Sequence, residues 1–533
     1  MRSLCRKRPV AFFDKLRRAF RKKGAPFLRA GDGAEGGGYR NTKNVIYYSF
    51  RFYNSASSRG DEAEMQMQRT KKAEGRSQQV DFSTGDIKRS ILAVVSPMLV
   101  AQLLNLLYNI VDRIYIGKIP GEGTLALAGL GLCFPIVTLV TAFANLFGVG
   151  GAPLCSIARG QKDTEGARKI MANAYFMLLL SGVVITILGI AFHKPILYLF
   201  GASGDTYQYA SDYMTIYLLG TVFVMTSLGL NPYINSQGFA KIGMLTVLLG
   251  AAANIVLDPI LIYAFGLGVR GAAIATVISQ CLSALWVLRF LTGPRTELVL
   301  HFRGFRPDWA CIRRIAALGT SSFVMSFTDS LVQVVCNATL RSFGGDLYIS
   351  VMTVINSVRQ IAQTPVMALS DGTSPVISYN YGARNVPRVR KAIRFMTQLG
   401  FAYTMLIWGL ISLFPKIFIM IFNHDPNLVS AAVPSLHIYF FGFVMMAFQF
   451  SGQGVFKSLN KAKLAIFFSL LRKAIIVVPL TLLLPHLGGL GVHGVFLAEP
   501  ISNLIGGLAC YITMRRTVMP ELAAMENGTA ART

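Results

Sequence analysis

GGAPLCSIARGQKDTEGARK, residues 150–169, has a counterpart 222 positions later in GTSPVISYNYGARNVPRVRK, residues 372–391. Gly150 pairs with Gly372, Pro153 with Pro375, Gly160 with Gly382 and Lys169 with Lys391. The same offset relates Phe200 to Phe422, Tyr217 to Tyr439, Gly220 to Gly442 and Ser236 to Ser458. After one inserted residue it relates Gly268 to Gly491, Gly271 to Gly494, Ala275 to Ala498 and Ser279 to Ser502. A register held over that length reads as an internal duplication. The halves are residues 91–293 and 312–515, joined by a basic linker at 294–311 that contains His301 to Trp309. An extension at 1–90 precedes them and a tail at 516–533 follows.

Each half is apolar. The 533 residues are 53% hydrophobic and 14% charged, with mean hydropathy +0.49, against roughly 25% charged in a soluble chain. A bilayer core about 30 Å thick takes roughly 20 apolar residues per helix. Such stretches follow one another from Ile91 to Met514, with room for twelve. The fold expected is therefore an all-α integral membrane protein of twelve transmembrane helices in two six-helix, pseudo-symmetric lobes.

The net charge of +27 does not point to nucleic acid, because its placement is periodic. Much of it precedes Ile91. The rest falls in alternate gaps, at Arg159, Lys162, Arg168 and Lys169, at Arg295 to Arg314, at Arg384 to Arg394, and at Arg515 and Arg516. This positive-inside pattern predicts both termini in the cytoplasm and the loops near Pro120, Ala202, Gly345 and Asp425 outside. The seven Cys lack metal or redox spacing and read as packing residues. Residues 12–27 form a basic amphipathic stretch, and the polar run to Ser83 reads as disordered; Met65 or Met67 is an alternative start.

An even number of spans per half inserts both in one orientation. Parallel repeats of this kind suit a transporter whose substrate binds between rocking lobes. Charged groups within the membrane are costly and mark the pathway. At 1.5 Å rise per residue, Asp112 in the first span lies about 8 Å inside the outer end, and Asp258 in the fifth about 10 Å. Thr276 in the sixth and Tyr213 in the fourth lie at about 8–9 Å. Asn254 stands one turn from Asp258. Such oxygens could hold Na⁺ or share a proton between the carboxyls; the structural alternative is that they merely satisfy one another.

Ser96-Pro97, YNIVDRIYIGK at 108–118, NIVLDPILIYAFGLGVRGAAIATVISQ at 254–280 and ISYNYGAR at 377–384 resemble the MATE multidrug and toxic compound extrusion family, bacterial type. The resemblance spans Ile91 to Arg515. It implies a V-shaped antiporter that exports organic cations against H⁺ or Na⁺, not an enzyme, with no cofactor beyond that ion. A monomer in the inner cell membrane is expected. By the resemblance, Asp112, Asn254, Asp258 and Thr276, with Tyr213 beside them, are the coupling-ion site, a Na⁺ site in some members, and Pro97 is a bend point of the first span.

The second half differs. Asp329 takes the place of a membrane-embedded Glu of one branch, yet QFSGQG at 449–454 lacks that branch's acid. Glu499 is the repeat mate of Thr276. Asp329, Glu499, Arg359, Asp371 and Met445 are candidates for a substrate cavity; Met352, Met367, Phe441 and Met446 fit either drug contact or packing. Asp371 and Arg359, about 18 Å apart along one helix, need separate partners. A lipid-linked oligosaccharide flippase is the alternative, but its anionic cargo calls for several cavity cations and Arg359 alone reads as deep. A channel or an intramembrane enzyme is remote, since no HExxH, GxSxG, CxxC or GxxxxGK[ST] motif occurs.

Overall fold

A computed structural model describes residues 79–120, 122–200, 202–300, 305–422 and 424–527. The amphipathic stretch at 12–27, the two alternative starts and His301 lie outside these residues. The described secondary structure is helical. Spans 1 to 3 are Ile87–Gly117, Gly123–Gly160 and Thr164–Ala191. Span 4 is the pair Gly204–Leu219 and Thr221–Ser236, bent by 57°. Spans 5 to 7 are Ala240–Ala264, Gly268–Leu291 and Trp309–Gly345, and span 8 is 346–382. Span 9 is Val386–Leu413, span 10 the pair Pro426–Phe440 and Phe443–Ser458 bent by 41°, span 11 Ala462–His486 and span 12 Val492–Glu526. Among the described residues nine are single helices long and apolar enough to cross a bilayer, and the bent pairs make eleven. Span 8 completes twelve; Arg359, Asp371 and a run of Ser, Thr, Asn and Gln make it the most polar.

The duplication is visible in the backbone. Lys162 and Arg384, mates at 222, both take left-handed φ, 62° and 55°. Gly238 (φ 90°) is matched by Asn460 (φ 59°), and Gly268 (φ 54°) by Gly491 (φ 48°). Only Gly and, less easily, Asn adopt this region cheaply, so Gly268 and Gly491 are held by the turn each makes. The next spans open on mated caps: Asp163 accepts the Gly166 N–H and Asn385 the Arg388 N–H. Ser156 Oγ donates to the Ser236 carbonyl at 3.4 Å, and its mate Ser378 to the Ser458 carbonyl at 2.8 Å.

The lobes meet toward the end that carries the basic loops. A Cβ on Gly160 would lie 2.0 Å from the Tyr379 carbonyl oxygen, and one on Gly382 2.1 Å from that of Ile157. Both pairs are repeat mates, so spans 2 and 8 cross about a pseudo-twofold axis with backbones touching. A Cβ on Gly319 of span 7 would meet the Leu146 oxygen at 1.8 Å. The Arg159 guanidinium adds a bridge, over the rings of Phe82 and Tyr379 at 6.0 and 5.5 Å.

The core departs from a simple division at the linker. The first turns of span 1, Ile87, Ile91, Val94 and Val95, pack in one cluster with Val376, Ile377, Val389 and Met514 of the second half. Reciprocally, Ile315 and Leu318 of span 7 belong to the first-half core with Met171, Leu178 and Tyr233. Each half thus lends the start of its first helix to the other, a crossing that hydropathy alone cannot specify.

Candidate coupling site and central cavity

Asn254 and Asp258 are one turn apart, so both project from one face of span 5. The Asn254 amide donates to Asp258 Oδ1 at 3.1 Å and to Thr276 Oγ1 of span 6 at 3.5 Å. From span 1 the Asp112 carboxyl lies close enough to that of Asp258 for the two charges to interact. Asp112, Asn254 and Asp258 are 9%, 2% and 0% exposed. The structure therefore brings together four of the residues singled out in the sequence. Tyr213, buried and stacked on Tyr217 at 6.1 Å, lies in the field of Asp112. Tyr108, one turn from Asp112 and close to both carboxyls, joins the cluster without having been singled out.

Asp112 Oδ1, Asn254 Oδ1 and Asp258 Oδ2 are buried and accept no hydrogen bond. A buried polar group without a partner costs free energy, and two carboxylates in contact repel unless a proton or a cation lies between them. Three orphan oxygens from three side chains form an acceptor-only nest, the chemistry that fits H⁺ or an oxygen-ligated Na⁺. Among the described residues no group of three or more His, Cys, Asp or Glu could hold a metal ion, so a Na⁺ here would rely on the neutral oxygens of Asn254 and Thr276 beside the two acids.

The nest borders a cavity of about 460 Å³ between the lobes. Asn254 and Thr276 line both. Asn105, Tyr108, Asn145 and Gln280 also face the cavity, with Asp371 and Lys457 on the second-lobe wall. The partner that Asp371 requires is Lys457, with which it interacts electrostatically. Met367 lines this wall too.

Asp329, Glu499 and Arg359 line a different, smaller cavity of about 20 Å³ within the second lobe, with Met352. Lys473 Nζ lies 3.0 Å from Asp329 Oδ1 and 3.2 and 3.3 Å from the two Glu499 oxygens. Arg472 reaches Glu499 Oε1 at 3.1 Å and Asn503 Oδ1 at 2.7 Å. This corrects the reading that Arg359 is the only deep cation: Lys473 and Arg472 side chains are 1% and 6% exposed. Met445 lines neither cavity; it ends the 3₁₀ turn Phe443–Met445 where span 10 bends, its carbonyl against Gly507. Phe441 points outward, 64% exposed, and Met446 is core. Pro97 is buried within a span 1 that runs unbroken.

Twelve spans in two repeats around a central cavity, with a buried acid pair just behind its Asn254 and Thr276 wall, define a multi-pass membrane transporter. The MatE family model matches residues 97–260 and again 321–483, once in each half, and the chain belongs to that family. Among curated relatives it is 25% identical over 447 residues to the multidrug export protein MepA of Staphylococcus haemolyticus, covering 84% of this chain and 98% of that one. It is 24% identical to MepA of Staphylococcus aureus strain MSSA476, with 82% and 96% covered. Similar solved structures include MATE in a bent conformation and an outward-facing multidrug resistance MATE transporter of the MOP superfamily. Each has a TM-score of 0.78, 25% identity, and 84% of this chain and 98% of the other covered. A MOP superfamily transporter of Pyrococcus furiosus, described as having a binding pocket of reverse polarity, matches with the same values.

Proposed function

We propose that this protein is a cation-coupled antiporter that exports organic cations, drugs and toxins among them, by alternating access. The observation that carries the reading is the nest of unpartnered acceptor oxygens on Asp112, Asn254 and Asp258, with Thr276 beside them, which meets the 460 Å³ cavity through Asn254 and Thr276. An ion in the nest satisfies the orphan oxygens; its arrival and loss change the local charge beside the substrate. A ligand shifts a two-state equilibrium only through different affinity for the two states, and the nest supplies that difference if its geometry changes as the lobes rock. The positive-inside rule supports a cytoplasmic placement of the basic loops; these lie at the closed end, so we read the conformation as outward-facing, in the inner membrane. The relatives' roles as multidrug exporters support the cargo class.

The flippase alternative gains Arg472 and Lys473 as deep cations, but Arg472 is taken up by Glu499 and Asn503 and Lys473 by Glu499 and Asp329, away from the wide cavity, which offers Lys457 beside Asp371. Antiport is the better reading. The test is export of a fluorescent cation from vesicles under separately imposed pH and Na⁺ gradients, normalised to inserted protein. Asp112→Asn and Asp258→Asn should insert and lose gradient-driven export. Parent-like export by both, with Asp329→Asn inactive, would move coupling to the second lobe.

A further inference from the structure

Lys473 contacts three carboxylate oxygens at 3.0 to 3.3 Å and its side chain is 1% exposed. The repeat register says what stands opposite it. Glu499 is the mate of Thr276, and Asn503 the mate of Gln280, at 223. Arg472 and Lys473 are the mates of Gly250 and Ala251 at 222, one turn before Asn254. The first lobe thus places small residues next to its acceptor nest, where the second lobe places two long cationic side chains next to its acids.

We propose that Lys473 is a tethered cation: its ammonium permanently fills the second lobe's counterpart of the coupling-ion site, so that this lobe binds no exchangeable ion. The inference rests on the first-lobe nest being an ion site. Three observations carry it. First, the charge balance is opposite. The first-lobe carboxyls have no ion-pair partner within 4 Å among the described residues, whereas Arg359, Arg472 and Lys473 outnumber Asp329 and Glu499 in the second lobe. Tyr439 is the other titratable group facing them besides Cys336. A free cation is repelled where the chain already supplies one excess positive charge.

Second, the backbone is shaped to deliver these groups. Span 11 widens into a π-helical segment over Leu471–Val477. Neighbours on a regular helix point about 100° apart, yet Arg472 and Lys473 both reach Glu499. π-bulges are frequent at functional sites. Gly506 clears space on span 12: a Cβ there would stand 3.3 Å from Arg472 Cγ. Third, all three acceptor contacts of the Lys473 ammonium are to carboxylates, so it meets oxygens only, as a bound ion would.

The experiment uses the full-length protein in detergent and reads the thermal unfolding midpoint against NaCl and methylammonium chloride, with choline chloride holding ionic strength. The Asp112→Asn/Asp258→Asn variant removes the first-lobe acids and isolates the second lobe. It should show no saturable response to either cation. Adding Lys473→Ala should lower the midpoint and create a saturable rise with methylammonium, which fits where the lysine ended, but none with tetramethylammonium. A saturable Na⁺ or methylammonium response in the Asp112→Asn/Asp258→Asn variant that retains Lys473 overturns the proposal. So does an unresponsive, folded Lys473→Ala variant. If that variant does not fold, the first arm alone decides. If the midpoint of the unmutated protein responds neither to Na⁺ nor to pH in a way that Asp112→Asn/Asp258→Asn removes, the first-lobe reading is refuted instead, so the two failures are told apart.

Discussion

Replacing Gly160 with Ala puts a methyl group where spans 2 and 8 touch. Its Cβ would lie 2.0 Å from the Tyr379 oxygen and 2.8 Å from the Ala383 nitrogen, against the 3.4 Å of ordinary contact. Both obstacles are backbone, so no side chain can turn aside; the helices must part by about 1.4 Å, the difference between those distances. Overpacking of this kind costs typically about 1–3 kcal/mol. The contact joins the lobes only while the basic-loop end is closed, so the cost falls on this conformation and the equilibrium shifts toward the opposite one by roughly 5- to 150-fold. Spin labels at Glu165, exposed in the first turn of span 3, and at Arg384, exposed in the loop before span 9, read the result as an inter-lobe distance. The parent should give one short distance, and Gly160→Ala should add or replace it with a longer one. Gly382→Ala, its mate at 2.1 Å from Ile157, should act alike. An unchanged distance in a normally inserted, stable variant would refute the claim that this seam is the closed gate.

Other outcomes follow from the same geometry. Glu499→Gln leaves the buried Lys473 and Arg472 short of a counter-charge and should cost about 3–5 kcal/mol, seen as a lower unfolding midpoint; Asp329→Asn, at a 37% exposed side chain, should cost less. Thr276→Ala removes a neutral oxygen that water can replace, and should retain most of the export that Asp258→Asn loses. A Cys at Ser342 should react with an impermeant thiol reagent from outside the cell, and a Cys at Lys162 or Asn385 should not; reversed labelling would overturn the orientation.

Much of the fold was legible because bilayer thickness and a repeat both leave period and composition in the chain. Span 8 was harder than its neighbours, since Arg359, Asp371 and their polar companions suit a helix buried between lobes more than one facing lipid. The crossing of Ile87 to Val95 into the opposite half was not legible at all: apolar residues near a helix end carry no mark of which lobe they pack against. For the candidate site, depth along each helix grouped Asp112, Asp258, Thr276 and Tyr213, with Asn254 one turn from Asp258, because a rise of 1.5 Å per residue converts spacing into level. Tyr108 shares a face with Asp112, one turn before it, and a helical-wheel reading would have found it. Arg472 and Lys473 carried a signal too, two adjacent bases inside an apolar span. Regular helix geometry splits such neighbours between faces and suggests snorkelling; a local π segment that turns both inward has no sequence rule to announce it.

The central claim is that transport of cargo is tied to an ion held by Asp112 and Asp258. It is tested most directly in proteoliposomes with no imposed gradient, by driving the purified protein with a substrate gradient alone and recording pH and Na⁺ on the opposite side. The account predicts that substrate moving one way drives H⁺ or Na⁺ the other way in the parent, and that Asp258→Asn abolishes this counterflow while still binding substrate. Substrate movement with no opposing ion flux in the parent, or undiminished flux in Asp258→Asn, would contradict it.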